Sequence, residues 1–259
     1  MADFSAKDVQ ELRKSTGAGM MDAKKALVET GGDAEAATQL LREKGLAKAL
    51  TRSDRDNSEG LVVVAQDDSA AALVQLKSET DFSAKSERFQ TLANDMVAAV
   101  LARGVDAVAE KNPEVEDLKL EVKENIDLGT VVRYEKADGH LIDAYLHGGG
   151  KAGVLVEGAG IDAGLLHEIA LHIAFAKPRF LSRAEVPEEE IEKERAALLE
   201  ITKQEGKPEQ AWPKIVEGRI NAWFSDQVLL EQGLFGEKEK VSEKIGSGTL
   251  TRFTLAMIG

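Results

Sequence analysis

Two hydrophobic periods alternate along this chain, and their alternation lays out its elements. The first 45 residues show the three-to-four spacing of amphipathic helices, interrupted by glycine. Val9 and Leu12 share the face of a first helix, which Ser5 opens with Asp8 three residues on as a capping box. Thr16-Gly17-Ala18-Gly19 is a turn, and Met20, Met21, Ala23, Ala26 and Leu27 follow as a second helix. Gly31-Gly32 ends it, and Asp33 is placed to cap a third with Ala36, Ala37, Leu40 and Leu41 inward and Gly45 as its terminal glycine. Residues 51–59 are polar and mark a linker or a fraying helix end. Residues 61–65 and 71–77 then flank Asp67-Asp68-Ser69 as a β-hairpin.

The stretch 73–89, LVQLKSETDFSAKSERF, changes period within itself. Leu73, Val74 and Leu76 interleave with Gln75, Lys77 and Glu79 as in a strand. From Ser83 the pattern becomes helical, through Phe89, Leu92, Met96, Val97 and Val100 to Gly104. Thr80 or Ser83 is able to cap that helix. Phe82 stands at the corner, either packed on the domain's own core or projecting into a partner.

Farther on, residues 113–125 suit either a strand or a helix. Asp138-Gly139 between 130–136 and 141–147 is the strongest hairpin signal in the chain. A glycine loop leads to a strand at 153–157. A helix at 165–176 ends before Pro178. Pro187 begins a Glu- and Arg-rich helix with Ile191, Ala196, Leu198 and Leu199, and Gly206-Lys207-Pro208 turns the chain. A partner helix carries Ile215, Ile220, Trp223 and Phe224, with Pro213 in its first turn, so the pair forms an antiparallel helical hairpin. Residues 249–258 return as a last strand. Strands grouped in hairpins among helices give an α+β class with largely antiparallel sheet.

Composition narrows the function. Lys and Arg total 33 against 46 Asp and Glu, a net charge of −13, which does not suit non-specific binding to nucleic acid. There is no cysteine, hence no disulfide, thiol nucleophile or cysteine-based metal site. No apolar run is long enough to span a bilayer and the start lacks a signal core, so the cytoplasm is the expected location. The glycine-rich stretches at 16–19, 148–151 and 246–249 all lack the spacing of a phosphate-binding loop and are expected to be turns. His167 and His172 are five apart rather than the four that set two ligands on one helix face, and His140 and His147 form no motif with them. The expectation is therefore no catalytic residue, no metal, no cofactor and no enzymatic activity.

Glu11–Leu27 (ELRKSTGAGMMDAKKAL), followed some fifty residues later by Glu79–Lys85 (ETDFSAK), resembles the bacterial translation elongation factor Ts family. Tyr145–His147, Gly153–Glu157, Ile169–Arg183 and Gly206–Phe224 continue the likeness over essentially the whole chain. The resemblance implies a ubiquitin-associated-like three-helix domain at 1–55 and a core of two α/β subdomains, at 56–140 and 141–259. It makes the helical hairpin, about 187–227, an excursion from the second, and it favours helix for 113–125. It implies a guanine-nucleotide exchange factor that binds elongation factor Tu, GDP-bound and nucleotide-free, with no direct contact to nucleic acid or membrane. By the same resemblance Thr80, Asp81, Phe82 and Ser83 meet the partner and disturb its magnesium and phosphate site, Phe82 as a wedge. Leu12, Met20 and Met21 form a second contact, and His147 marks a loop with a partner role.

Adjacent methionines cannot share one helix face, so Met20 and Met21 are expected to have at least one of their number in the core. Some positions depart from the family pattern. Ser83 stands where the family has Val, Ala23 and Ser78 where many members have Cys, and HGGGKAGV (His147–Val154) is one residue longer than usual, which leaves the register of Lys151 open. Three other readings compete with exchange. One is a ubiquitin-like or helical-peptide binding module confined to residues 1–55, another is an enzyme using a carboxylate pair on the α+β core, and the third is a structural or ribosome-associated protein, which the acidic charge disfavours.

Overall fold

The computed structural model describes residues 4–50 and 54–259, with side chains throughout except over 46–50. It falls into two compact units. The first comprises Met1–Ala65, Ala72–Arg133 and Met257–Gly259, and the second Gln66–Ala71 and Tyr134–Ala256.

The first unit begins with α1 (Ala6–Thr16), α2 (Met20–Glu29) and α3 (Ala34–Leu50). Ser5 and Asp8 make the reciprocal capping box, and the Asp33 carboxylate accepts from the amides of Glu35 and Ala36. Val9, Leu12, Ala23, Ala26, Leu27 and Ala37 form the small core, edged by Phe4, Leu40 and Leu41. Ala36 is exposed rather than inward. Gly45 does not end α3, which runs through it to Leu50. A Cβ there would stand 2.6 Å from a methyl group of Leu120 on α6 (Asn112–Val122). Close approach of two helices, not a left-handed cap, explains this glycine. Arg42 on α3 pairs with Asp117 on α6 at 3.2 Å across the same contact.

The first sheet has the order β1 (Glu59–Gln66), β2 (Ala70–Ser78), β3 (Asp127–Glu135). As the central strand, β2 is buried from Ala70 to Leu76 on both faces, so the alternation seen in its sequence does not mark a solvent face. Gln75 is buried too, and its amide is satisfied by donating to the Met257 carbonyl at 2.7 Å and accepting from the Thr130 amide at 3.1 Å. The segment read as one helix after β2 is two. A single turn, α4 (Asp81–Ala84), precedes α5 (Glu87–Arg103). Thr80 caps the first and Ser86 the second, so Ser83 caps neither. Residues 113–125 are largely helical, as α6. Phe89, Leu92, Met96, Val97 and Val100 pack on Ala72, Val74 and Leu76, with Leu118 and Ile126 closing the core.

The second sheet has the order β4 (His140–His147), β5 (Ala152–Ala159), β6 (Thr249–Met257). β4 and β5 are antiparallel, with Ile142 opposite Glu157 and His147 opposite Ala152. The hairpin expected at Asp138-Gly139 therefore does not form. The turn is present, with the His140 amide bonded to the Ala137 carbonyl and Gly139 at φ +77°, but β3 and β4 join separate sheets. A turn reverses the chain; strand pairing is settled by which edges can bury their faces. Helix α7 (Ala163–Ala176), capped by Asp162, lays Leu166, Ile169 and Ile173 against Val154, Val156 and Leu250. It ends at Lys177, in the left-handed region, just before Pro178. The helical hairpin is α8 (Glu188–Gln204) and α9 (Trp212–Gln227), with Pro213 in the first turn of α9. At its base Val186, Ile220, Phe224 and Val228 are buried together. A last turn, α10 (Val241–Lys244), precedes β6.

Buried His172 on α7 has a defined tautomer. Its Nδ1 accepts from the Phe235 amide at 3.1 Å, so Nε2 carries the proton given to Gln232 Oε1 at 3.0 Å. Burial lowers its pKa from the ordinary value, with the Gln232 hydrogen bond opposing in part. A proton on Nδ1 would face a second donor. The unfolded chain therefore takes the proton first. Stability is complete above the ordinary imidazole value and falls with pH below it, until the depressed folded value is passed. Urea denaturation between pH 7.5 and 5 is expected to show this loss, no steeper than about 1.4 kcal/mol per pH unit for one proton. His172→Gln should flatten that component, and an unaltered pH profile in His172→Gln would refute the assignment.

Candidate functional site

At the end of β2 the chain turns through a corner whose backbone is held from several sides. Thr80 is extended, and its Oγ1 accepts from the Ser83 amide at 3.3 Å, closing the one-turn helix α4. Ser86 Oγ donates to the Ser83 carbonyl at 2.8 Å and accepts from the Phe89 amide at 3.3 Å, tying that turn to the start of α5. Ser83 and Ala84 face inward and are buried. The opposite side of the turn carries Phe82, which is 82% exposed. A Phe this exposed is unusual, since aromatic rings normally bury most of their area. Of the two positions open to it, packed or projecting, Phe82 takes the second. Ser83 in place of the family's Val is thus an inward residue beneath the corner and not part of its outer surface.

Asp81, beside Phe82, pairs with Lys85 at 2.6 Å, one helical turn on. That hydrogen bond, before the charge attraction, raises the Lys85 pKa. Both side chains are substantially exposed, so the pair adds little to stability.

Beneath the corner lies a clasp with residues 124–125, between α6 and β3. Glu124 accepts from the Thr80 amide at 3.1 Å and from Thr80 Oγ1 at 2.7 Å. In return Glu79 accepts from the Asn125 amide at 2.7 Å. Arg55 stands 3.5 Å from Glu79, and its carbonyl accepts from the Asn125 side chain at 2.9 Å. Ser78 Oγ donates to the Thr80 carbonyl at 3.0 Å. Nothing in the sequence marks Glu124 and Asn125. A polar pair in a connection between elements carries no local signal of a partner 44 residues earlier.

The other predicted contacts occupy different environments. Met20 and Met21 are both exposed, at 47% and 63%, so neither is in the core. The core stripe of α2 is Ala23, Ala26 and Leu27, and the methionines precede it in the first turn. Leu12 is the reverse, 4% exposed and packed with Val9 inside the three-helix core. In the second unit His147 ends β4 and is exposed, its Nδ1 2.9 Å from the Tyr145 hydroxyl. Its carbonyl accepts from the amides of Gly150 and Lys151, so the longer glycine segment makes a tight turn with Lys151 inside it. His167 Nδ1 lies 3.1 Å from Asp143, and its ring meets Tyr145 edge-on. Among the described residues no group of three His, Cys, Asp or Glu side chains is disposed to hold a metal ion. Among them also no helix is long and apolar enough to cross a membrane.

The corner thus presents an outward Phe on a turn clasped from beneath. The family model for elongation factor Ts matches residues 79–254, beginning at the clasp. The chain belongs to the elongation factor Ts family. Elongation factor Ts of Clavibacter sepedonicus is 40% identical over 277 aligned residues, covering all of both chains. That of Mycobacterium tuberculosis is 42% identical over 277, covering all of this chain and 99% of the relative. That of Mycolicibacterium paratuberculosis is 40% identical over 281, with the same coverage. Membership in the elongation factor Ts family gives the general role: a factor of protein biosynthesis, acting in translation elongation through nucleotide exchange with elongation factor Tu.

Proposed function

We propose that this chain binds elongation factor Tu carrying GDP and promotes GDP release by pressing the 80–83 corner into the partner near its magnesium and phosphate site. The observation that carries this is Phe82, projecting at 82% exposure from a turn anchored on both sides. A ring held outward by a rigid corner loses little conformational entropy on insertion, which is what a wedge requires. Asp81 brings a carboxylate to the same tip, where it acts on the groups that hold the ion. Thr80 and Ser83 set the backbone between them.

Met20 and Met21 supply a second apolar contact, as soft, adaptable side chains exposed in the first turn of α2, and Leu12 is assigned to the same contact region from within the three-helix core. His147, exposed at the glycine turn, is assigned a further contact in the second unit. On this reading the chain performs no bond-making chemistry, holds no cofactor or metal of its own, contacts neither nucleic acid nor membrane, and works in the cytoplasm.

Exchange is differential binding. The chain accelerates release only if it prefers the nucleotide-free partner to the GDP-bound one. Linkage then requires GDP to weaken the chain's own affinity for the partner by the same factor. The test is release of a fluorescent GDP analogue from purified elongation factor Tu, with affinity for the partner measured with and without excess GDP. Acceleration together with weakened affinity is the expected result. Acceleration absent from folded protein and active partner would end the exchange reading. Binding that persists unchanged in saturating GDP would end the displacement mechanism.

A further inference from the structure

We propose that Glu124 is a positioning residue for exchange, aiming Phe82 without touching the partner. The proposal rests on the reading of Phe82 as the wedge. Helix α4 is a single turn, four residues long. One turn alone does not sustain itself, because nucleation fixes several dihedrals for one hydrogen bond. The direction of Phe82 is therefore set by what grips the two ends of the turn.

The C-terminal end is gripped by Ser86 and the start of α5. The N-terminal end is gripped at Thr80, and Glu124 takes the larger part. One carboxylate oxygen accepts the Thr80 amide, and the other accepts the Thr80 hydroxyl proton at 2.7 Å. The second bond also fixes the hydroxyl rotor. With its hydrogen committed to Glu124, Oγ1 turns a lone pair toward the Ser83 amide and accepts from it. Glu124 thus acts through Thr80 on the amide immediately after Phe82. Bonds to an ionised acceptor are stronger and shorter than neutral ones, which suits a fixed bracket.

Glu124 is itself delivered from a rigid element. Lys123, at φ 60° in the left-handed region, ends α6 and turns the chain so that the next side chain meets Thr80. α6 is anchored by Val115 and Leu118 in the core of the first unit. Glu79, accepting from the Asn125 amide, closes the clasp from the other side. The path from core to wedge runs Leu118, α6, Lys123, Glu124, Thr80, Ser83, and Phe82 rides on the turn it fixes.

The experiment uses the full chain as Phe82→Ala, Glu124→Ala, Glu124→Gln and the Phe82→Ala/Glu124→Ala double variant. Each is assayed for stimulated GDP release from elongation factor Tu, for its urea midpoint, and for amide hydrogen exchange. Glu124→Ala is expected to slow stimulated release about tenfold, the scale of one lost charge-assisted bond. Glu124→Gln, which keeps its volume and one accepting oxygen, should fall between it and the native chain. In both, the amides of Thr80 and Ser83 should exchange faster while those in the middle of α5 do not. The deciding result is the double variant, which should match Phe82→Ala within about twofold, since a residue that acts only through the wedge adds nothing once the wedge is gone.

Losses that multiply in the double variant would mean that Glu124 acts independently of Phe82, and would overturn the proposal. Native release by Glu124→Ala beside slow release by Phe82→Ala would overturn it and leave the wedge standing. Native release by Phe82→Ala would overturn the wedge and the proposal together.

Discussion

Phe82→Ala is expected to lower stimulated GDP release from elongation factor Tu by about 10- to 150-fold while leaving the stability of the free chain unchanged. The two halves of that expectation come from one number. At 82% exposure the ring contributes little to the chain's own core, so truncation should shift the free energy of unfolding by no more than about 0.5 kcal/mol. Buried in a partner, the same ring is worth roughly 1.5–3 kcal/mol of apolar transfer. At about 1.4 kcal/mol per tenfold, that difference appears in release if the ring is buried as the nucleotide leaves. Phe82→Leu, which retains most of the apolar area, should recover part of the rate. Stopped-flow release gives the first quantity and urea denaturation the second. A Phe82→Ala chain that loses several kcal/mol of stability would show that the ring is not free in solution. One that is stable and fully active would remove the wedge from the mechanism.

Seven residues later the same substitution should have the opposite consequence. Phe89 is fully buried, packed with Leu92, Met96 and the inward residues of β2. Phe89→Ala deletes that volume from a core that cannot fully collapse around the void, and the expected loss is about 3–5 kcal/mol. Against a total stability of roughly 5–15 kcal/mol this is a large fraction, and the urea midpoint should fall accordingly. The exchange assay should report the damage only through the fraction of folded chain. At a urea-free temperature where Phe89→Ala remains folded, release per folded molecule should stay within a few-fold of the native rate. A loss of stability under about 1 kcal/mol would show that α5 is not seated on β2 as described.

The contrast between these two residues also separates what could be read locally from what could not. Phe89 belongs to a run with Leu92, Met96, Val97 and Val100, and a helical period of that length has one apolar side that must be covered. Its burial was legible. Phe82 belongs to no period, and the general tendency of Phe to bury points a lone corner ring inward, so nothing local marks it as exposed. The helix starts at Ser5, Asp33 and Asp162 illustrate the same point. Ser5 and Asp33 are legible as caps because capping is a bond between neighbours in sequence, and the structure has both. Asp162 caps α7 by the same geometry. The role of Gly45 is not legible, because a glycine that ends a helix and one that admits a neighbouring helix look alike until Leu120 is placed beside it.

By itself, then, the sequence determined the α+β class, the three N-terminal helices, the hairpin at 61–77, the long helical pair and the family to which the chain belongs. These rest on periodicity, caps and turns, which act over a few residues, and on long matching segments. Tertiary structure alone decided that β3 and β4 part into different sheets, that β2 is buried on both faces, and that Met20 and Met21 are exposed while Leu12 is not. It alone decided that Glu124 grips Thr80. Each of those outcomes depends on which distant surface covers a given face, and burial and hydrogen bonding between residues far apart in the chain exist only once the chain has folded.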